Sequence, residues 1–201
     1  MTTFLTVLSL GFLLGLKHAT DTDHVVAINT ISVRKSTNKS VLIGVLWGIG
    51  HSIMVTLVGI LVIFFTLKIS EDFEKIMESS VGVMLVILGL LNIFNIEIKF
   101  FQNTKPLFVG LIHGLAGSGA ITLLILATIK SSIEQAFYLF VFNIGVIVGM
   151  MIITTLIGKS FAYAKNKISN LHKYLVLGSG IISILFGLYI IASNYFLFLI
   201  K

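Results

Sequence analysis

The chain has 201 residues, of which 57% are hydrophobic and 11% charged, and its mean hydropathy is strongly positive at +1.08. This composition indicates an integral membrane protein in a lipid bilayer and leaves little chain for a soluble domain. Cysteine is absent, which excludes disulfides and thiolate metal ligands. The net charge of +6 is explained by loops that face anionic lipid and does not indicate nucleic-acid binding.

Six apolar stretches are each near the roughly 20 residues that a membrane-spanning helix requires. They run from Phe4 to Ser32, Val41 to Leu67, Ser79 to Ile96, Leu107 to Ile129, Ile133 to Phe161 and Tyr174 to Leu199. We therefore expect an all-α integral membrane protein with six transmembrane helices, forming a single transmembrane domain over residues 1–201.

The distribution of basic residues between the loops predicts the orientation. Loops after the first, third and fifth stretches carry nine basic residues, namely Arg34, Lys35, Lys39, Lys99, Lys105, Lys159, Lys165, Lys167 and Lys173. The other connections and the C-terminus carry four, Lys68, Lys75, Lys130 and Lys201, beside acidic residues such as Glu71, Asp72 and Glu74. Because short cytoplasmic loops are enriched in Lys and Arg, both termini are predicted to be extracytoplasmic in a multi-pass plasma-membrane protein.

The first apolar stretch contains the sequence His-Ala-Thr-Asp-Thr-Asp-His, from His18 to His24. The stretch is about 29 residues long and as one straight helix would measure roughly 43 Å, against a hydrocarbon core of about 30 Å. A regular helix would also turn Asp23 and His24 away from the face that holds His18. We therefore expect an interruption of the first helix near residues 18 to 24.

Ionisable side chains within apolar stretches are costly and mark functional sites. Two imidazoles and one or two carboxylates suit a late first-row divalent ion such as Ni2+ or Co2+. His18, Asp23, His24 and His51 are the predicted metal ligands, and Asp21 and His113 extend the set. Asn143 is a further polar candidate within an apolar stretch. No permanently bound cofactor is expected, since the ion is cargo.

An internal repeat indicates how the helices are arranged. Gly15 to His18 matches Gly110 to His113 at a spacing of 95 residues, and Gly50 matches Gly145 at the same spacing. Gly82 and Gly89 match Gly180 and Gly187 at a spacing of 98 residues. Each copy, about residues 4–96 and 107–199, holds three helices, so the second copy enters the membrane inverted, as in many secondary transporters.

The metal motif resembles the signature of the nickel/cobalt transporter family, in which one His is followed after four residues by Asp-His, here His18, Asp23 and His24. His51 in Gly-Ile-Gly-His-Ser resembles the family's second motif. The segment Gly110 to Ala120 is similar to short six-span relatives described as urease-accessory-like. The resemblance implies uptake of Ni2+ or Co2+ without ATP hydrolysis, with His18, Asp23 and His24 recognising the metal. The imported metal would supply metalloenzymes such as urease or hydrogenase, or cobalamin synthesis. Members of that family commonly have about eight membrane spans, whereas six are expected here, so this chain is shorter.

Alternatives from other classes remain. A binding site is compatible with export of the same ions, and an accessory membrane protein could hand metal to a metalloenzyme maturation partner. A membrane metalloprotease is disfavoured because the chain has no His-Glu-x-x-His motif. The chain is therefore predicted not to be an enzyme, and both a monomer and a homo-oligomer are compatible with the sequence.

Overall fold

A computed structural model of the chain describes residues 2–32, 37–65, 70–96, 104–116, 129, 131–167 and 171–199. In these ranges the protein is all-helical, as the sequence predicts. Its helices, in chain order, are α1 Thr2–His18, α2 Thr22–Ser32, α3 Thr37–Phe65, α4 Glu71–Ile93, α5 Lys105–Leu115, α6 Ser132–Lys167 and α7 Leu171–Leu199.

Four helices, α3, α4, α6 and α7, are long and apolar enough to cross a membrane, judged by length and composition. The apolar helices α1 and α5 are shorter. Many large apolar side chains are exposed, and Phe64, Phe140 and Leu185 are each more than 60% exposed. Such an exterior suits contact with lipid, and it supports a multi-pass membrane protein.

The observed helices extend beyond several predicted stretches. The third stretch was predicted to begin at Ser79, but α4 begins at Glu71 because Ser70 caps its N-terminus, its Oγ accepting a hydrogen bond from the Phe73 amide at 3.3 Å. Acidic side chains in this first turn complement the positive end of the helix dipole. Helix α4 ends at Ile93, and Asn95 follows in the left-handed region with φ 54°. Hydropathy alone missed the first two turns because they are polar.

About half of the fourth predicted stretch, Leu107 to Ile129, lies outside the described residues, namely residues 117–128. Its described part includes α5, which begins at Lys105 with Pro106 in its first turn. Proline is tolerated there because the first amides of a helix have no partner within the helix.

The first predicted stretch is interrupted, as expected from its length and polar sequence. Helix α1 ends at His18 and α2 begins at Thr22. Between them the amides of Thr20 and Asp21 donate to the carbonyls of Lys17 and His18, at 2.8 and 3.0 Å, which is the tight hydrogen-bond pattern of a 3₁₀ turn. The Thr20 hydroxyl also donates to the Lys17 carbonyl at 2.5 Å. These bonds satisfy carbonyls at the end of α1 and let the chain change direction.

The helices associate as long pairs. Helix α1 packs against α6, α3 against both α5 and α6, and α4 against α7, while α2 contacts α4, α6 and α7. Close approach depends on glycine, because a Cβ at Gly15 would overlap the Phe142 carbonyl oxygen and one at Gly110 would overlap that of Trp47. Small residues at such crossings let helix backbones meet in lipid.

Candidate metal centre

The break between α1 and α2 brings the predicted site residues to one level of the bundle. His18 is the last residue of α1, and Asp21 lies in the break itself. Asp23 and His24 occupy the first turn of α2. The other two imidazoles come from different helices, His51 from the middle of α3 and His113 from the end of α5.

Three imidazole rings lie around that of His24. Its ring centroid lies 4.7 Å from that of His18, 5.4 Å from that of His51 and 4.8 Å from that of His113. The rings of His18 and His51 are 5.0 Å apart. His24, His51 and His113 are fully buried and His18 is 7% exposed. The interruption of the first helix therefore assembles residues that are far apart in sequence.

The cluster contains two sets of three side chains that could each hold a metal ion. The first, which we call the histidine group, consists of His18, His24 and His51. The second, which we call the Asp23 group, consists of Asp23, His24 and His113. Within each group the candidate ligand atoms lie within 4.8 Å of one another. His24 belongs to both groups.

Hydrogen bonds orient three of the imidazoles. Nδ1 of His18 lies 2.8 Å from Oδ2 of Asp21, and Nδ1 of His24 lies 3.0 Å from Oδ1 of Asp23. Nδ1 of His113 lies 3.2 Å from the Val109 carbonyl oxygen. Because carbonyl and carboxylate oxygens accept, each Nδ1 is the donor, and the neutral ring keeps its lone pair on Nε2.

Several of the remaining ring nitrogens have no hydrogen-bond partner in the part of the chain that the structure describes. They are Nε2 of His24, Nε2 of His113 and both ring nitrogens of His51. A buried polar atom without a partner is costly, and such groups in native structures call for an explanation such as a bound ion. Imidazole nitrogen is also a preferred ligand of Ni2+, Co2+ and related ions.

The other predicted polar residues, Asp21, Asp23 and Asn143, differ in their exposure and in the side chains that they contact. Asp21 contacts His18, but its side chain is 43% exposed and it belongs to neither three-residue group. Asp23 is more enclosed, with its side chain 22% exposed. Asn143, on α6, donates to the Thr56 hydroxyl at 2.9 Å and so connects α6 to α3.

Trp47, which was not among the predicted site residues, is fully buried beside the cluster. Its ring centroid lies 5.1 Å from that of His113 and 6.3 Å from that of His24. Trp47 lies one helical turn before His51 on α3, and this spacing was the available signal. Phe142 was also missed, and its ring centroid lies 5.8 Å from that of His18.

Comparison with known proteins identifies the chain's relatives. The family model of NicO, described as a high-affinity nickel-transport protein, matches residues 4–117, which include all six predicted site residues. The urease accessory protein UreH of Bacillus sp. (strain TB-90) is 36% identical over 206 residues, covering 92% of this chain and 90% of the relative.

More distant relatives come from an archaeon and a plant. A protein of Methanocaldococcus jannaschii described as a candidate nickel/cobalt efflux system is 29% identical over 193 residues, covering 90% of each chain. The Arabidopsis thaliana chloroplast protein FOR GROWTH AND FERTILITY 2 is 28% identical over 210 residues, covering 92% of this chain but 56% of the relative. No solved structure matches. The family match extends over more than half of the chain, so this protein belongs to the NicO family of nickel and cobalt transport proteins, which is a family of transporters and accessory proteins and not of enzymes.

Proposed function

We propose that this chain binds Ni2+ or Co2+ at the buried cluster around His24 and carries the ion into the cell, driven by membrane potential without ATP hydrolysis. The observation that carries the proposal is the set of buried ring nitrogens on His24, His51 and His113 that have no partner among the described residues. A divalent ion would satisfy these lone pairs, and nearby Asp23 would offset part of its charge.

The donor set favours a late first-row metal over Mg2+ or Ca2+. Magnesium and calcium prefer shells made of oxygen atoms, whereas the histidine group offers three imidazoles. Two carboxylates, Asp21 and Asp23, bond to these imidazoles through Nδ1, an arrangement that fixes ring orientation and raises ligand basicity at metal sites. Both features suit a site that strips water from Ni2+ or Co2+.

We also propose that the two halves of the chain form inverted repeats of three helices each. Reciprocal contacts support this arrangement. A Cβ at Gly15 would meet Phe142, and one at Gly110 would meet Trp47. The two glycines are 95 positions apart in the sequence, and so are the two aromatic residues. The same partners recur at the site, since the ring of His18 lies near that of Phe142 and the ring of His113 lies near that of Trp47.

A second set of reciprocal contacts joins α4 to α7. A Cβ at Gly82 would lie 2.7 Å from the Gly187 carbonyl oxygen, and one at Gly180 would lie 3.1 Å from that of Gly89. Each copy thus contributes equivalent glycines to the crossing. Rocking of one repeat against the other around a central site is the transport mechanism that this architecture favours.

Uptake is proposed because an inside-negative potential favours inward movement of cations by about 2.3 kcal/mol per charge per 100 mV. In the orientation predicted by the basic loops, the first turn of α4 faces outward with Glu71, Asp72 and Glu74. These carboxylates would raise the local concentration of cations. The chain has no complete Gly-x-x-x-x-Gly-Lys-Ser/Thr motif, the phosphate-binding loop through which ATP could act.

Export is the second candidate, since the relative from M. jannaschii is described as a candidate efflux system. The relative from Bacillus is named as a urease accessory protein, which favours delivery of the imported nickel to a urease-type enzyme and thus a maturation partner. This chain covers most of the length of both relatives, so coverage does not favour one of them over the other. The direction of transport must therefore be decided by flux measurement.

The test is Ni2+ and Co2+ flux in proteoliposomes of sorted orientation with an imposed inside-negative potential. Wild type should accumulate metal, while His18→Ala and His24→Ala should not. His172→Ala serves as the matched control, because His172 lies at the start of α7 and outside both groups. Accumulation only when the gradient and potential are reversed would establish export, and accumulation unaffected by either substitution would contradict the site.

A further inference from the structure

The Asp23 group contains a close contact between two side chains that do not belong to the histidine group. Nε2 of His113 lies 3.7 Å from Oδ2 of Asp23. Because Nδ1 of His113 donates to the Val109 carbonyl, Nε2 of the neutral ring carries a lone pair. Two acceptors therefore face each other, one of them on the fully buried ring of His113, and this arrangement is unfavourable unless a positive charge lies between them.

The separation of these two atoms fits a shared metal ion. Imidazole nitrogens and carboxylate oxygens bind such ions at about 2.0–2.2 Å, so two ligands of one ion can be up to roughly 4.2 Å apart. Oδ2 of Asp23 and Nε2 of His113 already meet this limit, and the other carboxylate oxygen is occupied by His24. A proton on His113 would also bridge the two atoms. An ion at the same place would in addition have His24 within reach as a third ligand, which completes the Asp23 group.

His24 cannot serve both groups at once. A neutral imidazole has one lone pair, and the hydrogen bond from Nδ1 to Asp23 places it on Nε2. An ion beside Oδ2 of Asp23 and Nε2 of His113 can therefore use the lone pair of His24 only when no ion in the histidine group uses it. Two divalent ions this close would also repel strongly in a buried site.

We propose that the transported ion passes between two overlapping subsites, the histidine group and the Asp23 group, which share His24. While the ion is in the histidine group, Asp23 acts through His24, as the acceptor that orients the ring; while the ion is in the Asp23 group, Asp23 is a ligand itself. His113 is thereby a residue of transit and contributes little to the affinity of the histidine group. This inference rests on the proposed function, and it assigns the second repeat's histidine to a separate step.

The test separates binding from transport, using the full chain in lipid nanodiscs and in proteoliposomes. Equilibrium dialysis with Ni2+ should give one ion per wild-type chain. His113→Ala and the bulkier His113→Gln should lower the affinity by less than about 10-fold, whereas His24→Ala should lower it by more than about 100-fold. Both His113 variants should nevertheless lose Ni2+ flux.

A spectroscopic measurement locates the ion in each case. X-ray absorption of bound Ni2+ should show imidazole scattering in wild type, and His51→Ala should shift the ion to the Asp23 group, with fewer imidazoles and an added carboxylate. Two bound ions per wild-type chain would overturn the inference, as would equal losses of affinity in His113→Ala and His24→Ala, or wild-type flux in either His113 variant. Absence of Ni2+ binding by wild type would instead overturn the proposed function, and with it this inference.

Discussion

The ring of His24 on α2 lies 5.4 Å from that of His51 on α3, although the two helices share little other contact surface. This approach requires the break after His18, which lets α2 leave the direction of α1. The polar residues of the break are thus structural as well as chemical, because they end one helix and begin the next at the site. A continuous first helix would separate these imidazoles.

Substitution of Gly110 tests the close crossing of α5 with α3. A Cβ at this position would overlap the Trp47 carbonyl oxygen, which belongs to backbone and cannot easily move. Gly110→Ala should destabilise the protein by about 1–3 kcal/mol, the usual cost of overpacking. Unfolding temperature in detergent measures the effect.

Gly178→Ala is the matched control, because nothing lies within 4 Å of a Cβ there. Alanine is favoured over glycine in a helix by roughly 0.5–1 kcal/mol, so this variant should be unchanged or more stable. Equal destabilisation by both substitutions would contradict the crossing seen in the structure.

Trp47 should support the site through its ring. Trp47→Ala removes a fully buried side chain beside His24 and His113, and we expect a loss of about 3–5 kcal/mol in stability together with weaker Ni2+ binding. Trp47→Phe keeps an aromatic face and should retain more of both. Thermal unfolding and Ni2+ titration of the two variants check this, and wild-type stability in Trp47→Ala would show that the ring does not hold the cluster.

Asp21 should orient His18 without binding the ion directly. Removal of its acceptor in Asp21→Ala should weaken Ni2+ binding by about 10- to 100-fold, the usual effect of such partners. Asp21→Asn keeps an oxygen that can accept from Nδ1 and should lose less. If Asp21→Ala loses as much affinity as His18→Ala, Asp21 is itself a ligand.

The acidic first turn of α4 should affect capture of the ion at low concentration. Glu71→Gln combined with Asp72→Asn should raise the metal concentration at half-maximal flux, with the maximal rate unchanged, because these side chains act through their charge. The difference should vanish near 1 M salt, where the screening length is about 3 Å. A lower maximal rate at saturating metal would contradict this role.

Much of the polar cluster could be predicted from sequence because the cost of ionisable groups in lipid is general. The His18 to His24 segment stood out within an apolar stretch, and its length indicated a break. The division into two groups could not be predicted, because it depends on which side of His24 faces His51 and which faces His113. Trp47 was missed because a lone tryptophan in an apolar helix is compatible with many roles.

Helix ends were predicted less well than the all-α class of the fold. The early start of α4 depends on the cap formed by Ser70 and on acidic residues that hydropathy counts as loop. The glycine spacing indicated a repeat, but only the backbone shows that Gly15 meets Phe142 and Gly110 meets Trp47. Pattern alone gives no such pairing because many glycines are equally spaced.

Buried imidazoles from α1, α2 and α3 are proposed to bind the transported ion, and measurement of Ni2+ binding to the His51→Ala variant is the sharpest test of that proposal. His51 lies far in sequence from the signature motif, and neither of its ring nitrogens has a partner among the described residues. Equilibrium dialysis should show a loss of at least about 100-fold in affinity, more than removal of an outer partner causes, while His172→Ala binds as wild type does. Unchanged Ni2+ affinity in His51→Ala would contradict the account.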